Sequence, residues 1–198
     1  QLRLFGPIYE PQVFIEGEGE DLTDDFFDPG RVPEQPYYEG RATLVRGCVD
    51  ALVAVPNPEG EYSILLVTRN GNPAKGQLWP AGGGMPRKIV GPRIALNANI
   101  ARETKLELSD YVFLGSVDFG WRTTPGDVGY GKGIRDLGLM YYAQGDGQPQ
   151  FKNLDNNPVF VTPDMWERKE GKLGELHQYV DKNMDLAMTL LVDRFYRA

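Results

Sequence analysis

Two runs of β-forming residues, ATLVRGCVDALVAVP at 42–56 and YSILLVTRN at 62–70, are separated only by the turn NPEGE. A break that short, carrying Asn, Pro and Gly, joins neighbouring antiparallel strands, so a hairpin is expected to open the fold. Further strands are expected at 111–121 (YVFLGSVDFGW), 137–144 (LGLMYYAQ) and 157–162 (NPVFVT). Thr162 and Pro163 then stand in the order that caps and begins a short helical turn. A helix is expected over 92–108, and a second at the C-terminus, where Leu176, Val180, Met184, Ala187, Leu191 and Phe195 recur at three- and four-residue steps. That spacing makes one apolar face. Strands, helix, strands, helix implies an α/β fold with a mixed β-sheet covered on both sides.

A chain of 198 residues accommodates one domain with an appended arm. Residues 1–40, rich in Pro, Gly and acid, have poor periodicity and are expected to form an extended N-terminal arm, with a short strand near 13–15. Phe14, Phe26, Phe27, Tyr37 and Tyr38 offer aromatic anchors along it. The acid run 16–25 is expected to be a solvated loop, with a calcium site as the lesser reading. Residues 41–198 form the domain proper.

A net charge of −7 disfavours a phosphate backbone as partner, and no basic stripe offsets it; nucleic acid is not expected. No run of 18 apolar residues occurs, so no membrane span is expected. Cys48 is alone, which precludes an intrachain disulfide, and its surroundings point to a buried apolar role. A cytoplasmic location is expected on that basis, weakly, since the chain starts at Gln1. A homodimer is compatible with the sequence.

The chemistry-bearing stretch is 72–108, which holds LWPAGGG and then a helix ending IARETKLEL. Gly82, Gly83 and Gly84 let a ligand approach the backbone closely, or serve as a turn. Asn99, Arg102 and Glu103 share one helix face at spacings of three and four residues. Arg102 is suited to binding phosphate oxygens or to pairing with a nearby acid. Arg69, Arg87 and Lys88 flank the segment as phosphate contacts or as surface charges. Trp79 and Trp121 suit either stacking on a base or sugar or packing in the core. The Gly-rich stretch RTTPGDVGYGKGIRD between two strands is long for a turn and is a candidate functional loop. It holds or adjoins Asp118, Asp127 and Asp136 as candidate bases, and Lys132 and Arg135 as candidate phosphate contacts. His177, the only histidine, reads as a bystander on a polar face.

LWPAGGG followed by IARETKLEL resembles the loop and helix of the Nudix hydrolases. Counted without gaps from Gly84, Val90 stands for the motif's first glutamate and Ala98-Asn99 for its Arg-Glu. Ile100 takes the apolar position, Arg102-Glu103 the Glu-Glu pair and Lys105 the closing glycine. The preceding TRNGNPAKGQLWPAGGGMPRK is similar to the corresponding segment of the GDP-mannose mannosyl hydrolase subgroup, whose own motif is incomplete. The resemblance spans roughly residues 42–165, with its specific residues in 69–106, and implies an α/β/α Nudix-like sandwich.

The resemblance also implies a ligand, a nucleoside-diphosphate derivative such as a nucleotide sugar. Arg69, Arg87 and Arg102 would then contact the diphosphate, Glu103 with Asn99 and the Gly83 carbonyl would hold one Mg²⁺, and Asp127 or Asp136 would activate water. Water attacks the sugar carbon in that subgroup, a route that suits a helix poor in carboxylates. A second reading keeps the sandwich and discards the chemistry, leaving a binding or regulatory module. A third makes it a structural domain whose glycines are turns.

Overall fold

A computed structural model describes residues 46–70, 74–85, 91–121, 134–151 and 158–197, and the N-terminal arm lies outside them. The hairpin is present: β1 (Arg46–Pro56) pairs antiparallel with β2 (Tyr62–Thr68), Val55 opposite Ser63. The Asn57 side chain accepts from the backbone N–H groups of Glu59 and Glu61, at 3.1 and 2.8 Å, and so builds the turn. That is the ordinary use of asparagine at such a position.

The sequence left the glycines of LWPAGGG open between a backbone close to a ligand and a turn. The segment is a strand, β3 (Leu78–Gly84), antiparallel to β1 with Asp50 opposite Gly82 and Val49 opposite Gly83. The backbone of β3 comes so near β1 that a Cβ on Gly82 would strike the Val49 carbonyl oxygen, and lie 2.6 Å from Asp50 Oδ1. Gly82 is therefore needed for close strand approach rather than for a bend.

Helix α1 (Pro92–Thr104) ends four residues short of the expected limit. Lys105 adopts a left-handed conformation, φ 62°, where glycine would be usual. Thr104 Oγ1 donates to the Ile100 carbonyl at 2.8 Å and accepts from Leu106 N–H at 3.3 Å, which closes the helix without a glycine. Leu106 and Leu108 then alternate inward as strand residues, and β4 (Glu107–Trp121) begins earlier than its sequence suggests. Its partner β5 (Ile134–Asp146) is likewise longer, and the two run antiparallel from Glu107 opposite Asp146 to Trp121 opposite Ile134. β6 (Pro158–Val161) and α2 (Pro163–Glu167) follow, with Thr162 Oγ1 capping α2 at 3.3 Å from Met165 N–H. A 3₁₀ turn, Gly171–Glu175, leads to the C-terminal helix α3 (Gln178–Phe195).

The six-stranded sheet has the order β4-β5-β1-β3-β2-β6, with β1 and β5 parallel and the other pairs antiparallel. Side-chain alternation divides each strand between two cores. Val49, Ala51, Val53 and Val55 of β1 pack beneath Ala95, Leu96 and Ile100 of α1. Leu52 and Ala54 face the other way, with Met140 and Tyr142 of β5, onto Val180, Met184, Ala187 and Leu191 of α3. The result is an α/β/α sandwich. No helix among the described residues is long and apolar enough to cross a membrane.

Candidate functional site

At one end of the sheet, on the α3 side, lies a cavity of about 250 Å³. Six elements and the exit of one strand build it. Cys48 and Asp50 come from β1, Val67 to Asn70 from the end of β2, and Trp79, Pro80 and the three glycines from β3. Glu103 comes from α1, Phe119 from β4 and Asp136 from β5. Of the expected site residues, Arg69, Gly82, Gly83, Gly84, Glu103 and Asp136 thus share one concavity.

Each is held there by its element. Arg69 follows β2, and its backbone N–H donates to the Gln77 carbonyl at 2.9 Å. Its guanidinium carbon lies 5.1 Å from the centre of the Trp79 ring, within range of a cation–π contact. Gly82 and Gly83 have φ of 154° and 153° in β3, outside the range that side-chain-bearing strand residues favour. Glu103 sits in the last turn of α1, where burial raises its pKa while the hydrogen bond and charge of Arg102 pull it down. Asp136 and Asp50, both nearly fully buried, lie on the cavity side of their strands.

Three expectations are corrected. Arg102 does not line the cavity; its guanidinium pairs with Glu103 at 3.0 Å and its side chain is 59% exposed. An exposed pair of this kind contributes about 0–1 kcal/mol, and pairing with an acid is the second of the two uses the sequence offered for Arg102. Asn99 is buried, and its Nδ2 donates to the Gly84 carbonyl at 3.2 Å, fastening α1 to β3 instead of facing a metal. His177 is no surface bystander. It is the N-cap of α3, its Nδ1 accepting from Tyr179 N–H at 3.2 Å, and its ring packs 5.5 Å from Trp79 and 6.2 Å from Phe119. Burial lowers its pKa.

Asp118 is exposed on β4 and outside the cavity lining. Arg87, Lys88, Asp127 and Lys132, and the side chains of Trp121 and Arg135, lie outside the described residues. Sequence reasoning missed Asp50, Cys48 and Phe119 as cavity residues. The signal for Asp50 was present: one acid inside RGCVDALVAV, a run otherwise suited to burial. No group of three or more His, Cys, Asp or Glu side chains among the described residues converges on a point that could hold a metal. One cavity-lining carboxylate, Glu103, matches instead the usual Mg²⁺ arrangement of a protein acid or two completed by substrate phosphates and water.

The sandwich and its cavity can be set beside solved structures. A MutT protein from Methanosarcina mazei Go1 aligns with a TM-score of 0.50 at 15% identity, over 74% of this chain and 94% of its own. The E. coli ORF135 protein aligns with a TM-score of 0.50 at 17% identity, over 76% of this chain and 93% of its own. The chain has the Nudix fold. A Nudix hydrolase from M. smegmatis aligns at a TM-score of 0.49 and 15% identity, over 77% of this chain and 90% of its own. No family model and no curated protein matches the sequence. Identity this low speaks for the Nudix fold alone, so the ligand and the chemistry are argued from the cavity.

Proposed function

We propose that this chain is a divergent Nudix-type hydrolase acting on a nucleoside-diphosphate-linked compound such as a nucleotide sugar. The observation that supports this is the company kept in one cavity: an arginine, a backbone stripped of Cβ atoms, a helix acid and a buried strand acid. Arg69 binds the diphosphate, with its guanidinium kept on the Trp79 face. The β3 glycines let the ligand lie close to the strand. Arg87 and Trp121 belong to this reading on the sequence alone, whereas Arg102 acts through Glu103.

Asp136 accepts a proton from the attacking water, whose oxygen bonds to the sugar carbon. The bond from that carbon to the diphosphate oxygen breaks, and its electron pair leaves on the diphosphate. Glu103 would hold, together with the diphosphate, a Mg²⁺ that neutralises phosphate charge. Half-buried and paired with Arg102, Glu103 presents its acid at the cavity edge.

The alternative is a catalytically inactive binding or regulatory module, and the engagement of Glu103 by Arg102 favours it. Assay of a nucleotide-sugar panel with Mg²⁺, following release of free sugar and nucleoside diphosphate, separates the two. Turnover is expected, with Asp136→Asn lowering kcat about 10²-fold or more and Glu103→Gln raising the Mg²⁺ concentration required. Ligand binding without turnover would leave the binding module. Hydrolysis that survives Asp136→Asn and Glu103→Gln at full rate would remove both assignments.

A further inference from the structure

The cavity has two electrostatic ends. Arg69 stands at the β2 end, and Asp50 and Asp136, 6% and 4% exposed, stand on the β1–β5 side. In the parallel β1–β5 pairing Cys48 lies opposite Gly138 and Asp50 opposite Met140. Alternate residues share a face, so Asp136 and Asp50 flank the Cys48–Gly138 pair on opposite sides, each about 7 Å along its strand.

Over that central pair lies the hydroxyl of Tyr179, from the first turn of α3. A Cβ on Gly138 would lie 2.9 Å from the Phe119 ring, 3.1 Å from Val117 and 3.4 Å from this oxygen, so the missing side chain makes room chiefly for Phe119, with the phenol beside it. The ring meets Phe119 edge-on at 4.7 Å and Trp79 at 5.8 Å, both of them cavity walls. Burial raises the pKa of the phenol, and the nearby Asp50 and Cys48 raise it further, so the group stays a neutral hydrogen-bond donor. Tyr179 is 6% exposed, and its hydroxyl has no hydrogen-bond partner among the described residues. Leaving a buried hydroxyl without a hydrogen bond is costly, so a donor close to the cavity-lining Cys48 and Asp50 calls for a group to complete it.

Building on the diphosphate reading above, we propose that Asp50, Tyr179 and Asp136 form a hydroxyl-recognising subsite for the glycosyl end of the ligand, which fixes its direction in the cavity. The carboxylates accept hydrogen bonds from sugar hydroxyls and repel phosphate, while the phenol donates. The diphosphate is thereby turned toward Arg69, and the sugar packs its C–H faces on Phe119 and Trp79. This direction brings the glycosyl carbon to Asp136.

Calorimetry on the full chain tests it with GDP against GDP-mannose and ADP against ADP-glucose, in the wild type and Tyr179→Phe. One sugar form is expected to bind more tightly than its bare diphosphate, and Tyr179→Phe to weaken that form about three- to tenfold, the worth of one hydrogen bond. Binding of the bare diphosphate and the Tm are expected to hold, because the variant deletes an oxygen that has no internal partner. A sugar increment absent from the wild type, or intact in Tyr179→Phe, overturns the subsite alone. A lowered Tm in the variant overturns it as well, by revealing an internal partner for the hydroxyl. No binding of any of the four compounds overturns the diphosphate reading and the subsite together.

Discussion

Gly82 shows how much one residue settles. Its strand partner Asp50 sits so close that any side chain at 82 meets backbone and carboxylate, and its φ of 154° disfavours a Cβ independently. Gly82→Ala is expected to cost about 2–4 kcal/mol of stability, overpacking and backbone strain together, read from urea unfolding. His177 carries a different signal. Burial lowers its pKa from the ordinary 6.5, so between the lowered value and 6.5 the unfolded chain binds more protons than the folded one. Stability is therefore full above 6.5 and falls as the pH drops through that window. Protonation also removes the Nδ1 acceptor that caps α3. A Tm that declines from pH 7.5 to 5.5, with a shallower decline in His177→Asn, is the expected result. A slope identical in the two proteins would count against this role.

At the scale of elements, the end of α1 decides where Glu103 stands. The helix closes at Thr104, whose hydroxyl makes two buried hydrogen bonds, and Lys105 turns the chain into β4. Thr104→Val keeps the shape and deletes both bonds, leaving the Leu106 N–H without its acceptor. It is expected to cost about 1–3 kcal/mol in chemical denaturation. The helix-like pattern of 92–108 hid this end because Leu106 and Leu108 fit either period, and no glycine or proline marks the stop. Thr162 and Pro163 were legible for the opposite reason, since their side chains make the local cap themselves. The β3 glycines stayed ambiguous because glycine favours turns locally, whereas at Gly82 it is the neighbouring strand that requires it.

For the whole molecule, the two cores on either face of the sheet are built, among the described residues, from elements between 46 and 197. We propose that 1–40 is separable from the domain. A chain beginning at residue 41 is expected to unfold in one cooperative transition with a Tm within a few degrees of the parent, and a loss of cooperativity would join the arm to the core. Local sequence determined the hairpin, the apolar stripe of α3, the capped α2 and the presence of Arg69, the glycines and Glu103 in one stretch, because each depends on neighbours a few residues away. Only the tertiary structure decided that β1 runs parallel to β5 and thereby brings Asp50 and Asp136 to the same face, some 86 residues apart in the chain. Long-range pairing of that kind is set by packing of both sheet faces at once. The same packing turned Asn99 and Arg102 away from the cavity and set Tyr179 behind its walls Phe119 and Trp79.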